Sequence, residues 1–101
     1  MSAEEKPPLP PPPDRILLTD DSVPLPRRGQ TWRHKRTSLR NHPFYRVVGL
    51  SRNEKEPTKF NVLYENVDAK ERAKVADVPW SRDLHEFCAR FRWHGERQPW
   101  M

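Results

Sequence analysis

No aromatic residue falls in positions 1–28 of this 101-residue chain; all ten lie between Trp32 and Trp100. Large rings supply most of the area that a small core can bury, so the foldable part is confined to residues 29–95. A module of that length buries only about 60% of the surface its unfolded chain exposes. One marginal domain fits, and an extensive catalytic cleft does not. Hydrophobic and charged residues stand at 34% and 33%, a balance at the border of disorder; the clustering of the rings decides for a folded module.

Residues 7–13 read Pro-Pro-Leu-Pro-Pro-Pro-Pro. Proline fixes φ, lacks an N–H and pushes its predecessor toward extended geometry, so this run is a polyproline-II arm. Such arms can dock into aromatic grooves, but a stiff solvated arm is the simpler expectation. Ile16-Leu17-Leu18 and Val23-Pro24-Leu25-Pro26 are isolated apolar patches between charges and prolines. Residues 1–28 are therefore expected to form a disordered, proline-rich tail with these patches loosely held.

From Gly29 the pattern changes. Gln30-Thr31-Trp32-Arg33-His34-Lys35 alternates polar and large residues as a first strand, and His42-Pro43 breaks it. Phe44-Tyr45-Arg46-Val47-Val48-Gly49-Leu50 is the clearest strand, with Tyr45 and Val47 on one face and Phe44, Val48 and Leu50 on the other. Residues 59–65 alternate with Phe60, Val62 and Tyr64 on one side, and the pair forms an antiparallel hairpin. Residues 66–74 read as a polar turn and Val75-Ala76-Asp77-Val78 as a short third partner. Leu84, Phe87, Cys88 and Phe91 recur at helical spacing, with Ser81 placed to cap one or two turns. Residues 96–101 are expected to fray, with fraying setting in from Arg92. The class is mainly β.

Three segments, Gly29-Gln30-Thr31-Trp32-Arg33-His34-Lys35, Tyr45-Arg46-Val47-Val48-Gly49-Leu50 and Val78-Pro79-Trp80-Ser81-Arg82-Asp83-Leu84-His85-Glu86-Phe87, enclose Val62-Leu63-Tyr64-Glu65. In this order they resemble a small bacterial and phage family called domain of unknown function 1653. Its pattern runs aromatic-x-His-Lys, Tyr-x-Val, Val-Val-Tyr, then Trp-x-Arg-Pro-Leu-x-x-Phe. The resemblance covers residues 29–91. It implies a small SH3-like antiparallel barrel carrying a short helical turn, and no catalytic chemistry.

The net charge is +5. Residues 1–28 carry four basic and five acidic side chains, so the excess belongs to the remainder. No acid stands between Asp21 and Glu54, a stretch holding Arg27, Arg28, Arg33, Lys35, Arg36, Arg40, Arg46 and Arg52. Phosphates attract such a surface without sequence preference, and Trp32 or Tyr45 can stack on a base. Nucleic acid is one expected partner, and an acidic protein is the alternative; a plain solvated basic face competes with both. The expected contact residues are Trp32, Arg33, His34, Lys35, Arg36, Arg40, Arg46 and Arg82. Arg82 can hold an anion bidentately or brace the barrel; His34 is a contact group or a histidine bonded to a neighbouring backbone carbonyl.

Chemistry of other kinds has little support. His85 and Cys88 make one close-spaced pair where structural zinc needs two, and Cys88 lies on the apolar helical face as a small hydrophobe. The three glycines are isolated, so no phosphate-cradling loop is legible. No cofactor, no metal and no enzymatic activity are expected. One cysteine and no long apolar run point to a cytoplasmic protein without membrane contact.

Overall fold

The computed structural model describes residues 8–36 and 44–95. Its elements are β1 (Arg15–Leu17), β2 (Ser22–Pro24), β3 (Thr31–His34), β4 (Phe44–Arg52), β5 (Phe60–Asn66), α1 (Ala69–Lys74), β6 (Trp80–Asp83), α2 (Leu84–Arg90) and β7 (Phe91–Gly95). The last five strands along the chain, β3 to β7, make one antiparallel sheet in the order β6-β5-β4-β3-β7, and β1 and β2 pair separately. From β3 to β6 the chain is a meander; α2 then carries it across the sheet so that β7 returns to β3. The sheet stays open among the described residues, with β6 and β7 as its edges, instead of closing into the expected barrel. No ladder joins these edges: β6 pairs only with β5 and β7 only with β3.

One face of the sheet holds the core. Trp32, Val62, Phe87 and Cys88 are fully buried, and Val47 and Phe91 nearly so. Alternation in β5 sends Phe60, Val62, Tyr64 and Asn66 inward, as its period requires. Phe87 stacks on Phe91 with centroids 4.4 Å apart and meets Trp32 edge-on at 5.3 Å. The face expected for Leu50 is corrected. β4 and β5 pair Val47 with Tyr64 but Gly49 with Leu63 and Leu50 with Val62. Val48 is thus an extra residue, a β-bulge, which turns Leu50 to the side of Tyr45 and Val47, where it packs on the core.

Five further expectations shift. The core does not begin at residue 29: Ile16 and Leu25 are each 5% exposed and belong to the same cluster as Trp32. The β1–β2 pair brings them there, and burying an aliphatic side chain of this size contributes about 1.5–3 kcal/mol. The polar turn 66–74 contains α1, whose first amides are capped by the Asp68 carboxylate. The third strand partner is β6, not residues 75–78, because Ala76 and Asp77 both take left-handed φ (56° and 58°) and reverse the chain. The helix begins at Leu84 with Asp83, not Ser81, accepting from the Glu86 amide. Phe91, expected to end the helix, and Arg92, Trp93, His94 and Gly95, expected to fray, form β7. No helix among the described residues is long and apolar enough to cross a membrane.

Candidate functional site

The residues expected to share one basic face are divided among four places. Trp32 lies in the core at 0% exposure, its Nε1–H donating to Gln30 Oε1 at 3.2 Å. It offers no surface for a base to stack on, which corrects the expectation. Arg40 lies outside the described residues. The other six are resolved into an outer sheet face, the end of β3, and a brace on the core side.

The outer face is built by register. Arg33 stands opposite Phe44 on β4 and opposite Arg92 on β7; residues paired across an antiparallel ladder project to the same side. In the next row Thr31, Arg46 and Glu65 face one another across β3, β4 and β5. Glu65 lies 3.8 Å from Arg46 Nη1 and 3.9 Å from Arg72 Nη1. Arg33, Arg46, Arg72 and Arg92 therefore share this surface with Glu65, and Asp77 takes a second edge of Arg72 at 3.4 Å from its Nε. The Phe44 ring meets His94 edge-on at 5.0 Å beside them. Arg33 Nε and Thr31 Oγ1 are buried without a hydrogen-bond partner.

At the end of β3 the chain turns through Lys35 and Arg36, and the Lys35 amide donates to the Arg90 carbonyl at 3.0 Å. His34 Nδ1 accepts from the Arg36 amide at 3.2 Å, and its ring stands edge-on to Phe91 at 5.1 Å. Burial lowers the His34 pKa from its ordinary value, and Arg82, Arg90 and Arg36 lower it further. The ring thus accepts from a backbone amide, not bonding to a backbone carbonyl as one expectation had it, and it stands among guanidiniums.

Arg82 is a brace. Its Nε donates to the Tyr64 hydroxyl at 3.2 Å and its Nη1 to Glu86 Oε1 at 3.0 Å. The Tyr64 bond raises its pKa, more than burial lowers it. Trp80 sits at the same end, its Nε1–H donating to Asn66 Oδ1 at 3.0 Å. Cys88 is enclosed, and burial pushes its thiol up to about 12, so it presents no thiolate. Among the described residues no three His, Cys, Asp or Glu side chains gather as a metal site would need.

Sequence reasoning missed Arg92, Arg72 and Arg90. Arg92 was hidden by the expected fraying, although Phe91-Arg92-Trp93-His94 alternates with the period of a strand. Arg72 and Arg90 are surface residues of helices, and only the fold tells which face they join.

Comparison with protein-family models, with curated proteins and with solved structures finds no match to this chain.

Proposed function

We propose that the chain is a small non-catalytic binding module that holds nucleic-acid phosphates, without sequence preference, on the outer face of its sheet. The observation that carries this reading is the pairing of Arg33 with Arg92 directly across β3 and β7. Like charges in that position destabilise a ladder, whereas an anion lying between them turns repulsion into two charge-assisted hydrogen bonds. Arg46 stands in the next row, and Phe44 with His94 supplies ring surface beside the arginines. An SH3-like class is supported by a meander whose last strand returns, after a helix, to the first. Anisotropy titration of labelled single- and double-stranded oligonucleotides at low and high salt tests the reading, since phosphate binding weakens steeply with salt.

A second reading, an adaptor for an acidic protein, is favoured by a different feature. A cavity of about 410 Å³ opens between β1 and the body, lined by Ile16, Leu17, Phe60 and Leu84 and flanked by Arg15, Lys59 and one acid, Asp83. Leu17 beside it is 73% exposed. A nuclease-treated pull-down that retains an acidic protein with wild type and loses it with Leu17→Glu would favour this reading over the first.

A further inference from the structure

A second cationic cluster lies at the end of β3. A cavity of about 350 Å³ is lined by His34, Lys35, Arg36, Ala89 and Arg90. That volume lies in the range of small-ligand sites. Three of these five residues are cations, and no acid among the described residues lines it. Glu86 is held between Arg82 Nη1 at 3.0 Å and Arg90 Nε at 3.1 Å, and Asp20 and Asp21 line the neighbouring cavity on the other side of Lys35 and Ala89. Glu86 thus engages one edge of Arg90.

The walls are held in place by backbone as well as by side chains. The Lys35 amide is tied to the Arg90 carbonyl and the Arg36 amide to His34 Nδ1, so the turn and the helix end are fixed to each other. Because Nδ1 accepts that bond, the proton of the neutral ring sits on Nε2, which is a donor. The ring is oriented by Phe91. Lys35 and Arg36 are exposed and so keep their charges in contact with solvent. Three cations and a neutral donor around one cavity match a small, highly charged oxyanion.

We infer that this cavity is a binding site for a phosphate dianion, with Lys35, Arg36 and Arg90 as its charged contacts and His34 as a neutral donor. The field of Arg82, Arg90 and Arg36 at His34 supports this, since the same guanidiniums that disfavour a proton on the ring favour an anion beside it. The site does not rest on the outer-face reading. Arg33, the neighbour of His34 in the strand, projects to the opposite side of the sheet. The dianion can be free phosphate or the terminal phosphate of a nucleic-acid strand; the chemistry at the contacts is the same.

The test is a nuclear magnetic resonance titration of the full chain with inorganic phosphate, balanced at each point against sodium chloride of equal ionic strength. The expected result is a saturable shift of the His34 ring and of the Lys35, Arg36 and Arg90 amides. A Lys35→Ala/Arg36→Ala variant, altered only at exposed side chains, is expected to bind at least tenfold more weakly with an unchanged spectrum elsewhere. Arg92→Glu, on the outer face, is expected to leave the saturable shifts of the His34 ring and of the Lys35, Arg36 and Arg90 amides as in wild type, so failure of one reading is told apart from failure of the other. A 5′-phosphorylated oligonucleotide that outbinds its 5′-hydroxyl counterpart assigns the site to strand ends. Equal affinity of the two, with phosphate still saturable, assigns it to free phosphate. Shifts that do not saturate, or that chloride reproduces, overturn the site.

Discussion

Arg33 and Arg92 face each other across the β3–β7 ladder, two permanent cations in directly opposed positions at an edge of the sheet. Opposed like charges cost a ladder a few tenths of a kcal/mol up to about 1 kcal/mol relative to an opposite pair. Arg92→Glu is therefore expected to raise stability by about 0.2–1 kcal/mol in urea unfolding while it weakens nucleic-acid binding. Stability and affinity moving in opposite directions is the mark of a site. If the variant loses stability instead, the pair is structural.

Ile16→Ala is expected to destabilise the chain by about 2–4 kcal/mol, because Ile16 is 5% exposed and packs in the Trp32 cluster. Thermal unfolding reads this directly. A loss under about 0.5 kcal/mol would mean that β1 and β2 contribute nothing to the body.

Much of the sheet was legible in advance, and the reasons differ between its parts. Three strands and the helical stretch carry dense periodic signal: β5 alternates without fault, and Leu84, Phe87 and Cys88 repeat at helical spacing on the buried side of α2. β1 and β2 were missed because each has three residues and lacks a ring; their burial depends on where the body lies, which no local pattern records. The bulge at Val48 inverted the face assigned to Leu50, since one inserted residue exchanges the two sides of a strand. For the site, the sequence showed that positive charge was concentrated but not how it divides. Trp32, Arg33 and His34 are consecutive, and the alternation of the strand sends Trp32 into the core and Arg33 to the outer face. The Arg33–Arg92 pair joins residues 59 positions apart, beyond the reach of any motif.

Arg82→Ala is expected to cost about 1–2 kcal/mol of stability, as bonds to charged groups contribute about 1.5–3 kcal/mol and this side chain is 30% exposed. Nucleic-acid affinity should not change. Arg82→Lys keeps the charge but cannot fork between Tyr64 and Glu86, so it should recover little of the loss. An affinity decrease without a stability decrease would make Arg82 a contact residue.

Cys88 gives the chain an alkaline sensitivity. Its thiol is pushed up to about 12 by burial, while an unfolded thiol ionises near ~8.5. Between those values the unfolded state holds fewer protons than the folded one, so stability is full below about pH 8.5 and falls as pH rises toward 12. Cys88→Ala, less stable at neutral pH, is expected to lose less between about pH 8 and 10.5. Urea midpoints across that range check this, and parallel curves for the two proteins would contradict it.

The central claim is that the outer arginine face binds nucleic-acid phosphates. Its most direct test is anisotropy titration of a labelled single strand with wild type, Arg33→Ala and Arg92→Glu, at about 50 and 200 mM salt. With three or four phosphates engaged, wild-type affinity is expected to fall about 20- to 50-fold between those conditions, and both variants should bind more weakly with a shallower salt slope. Affinity that ignores salt, or variants that bind as wild type does, would contradict the account.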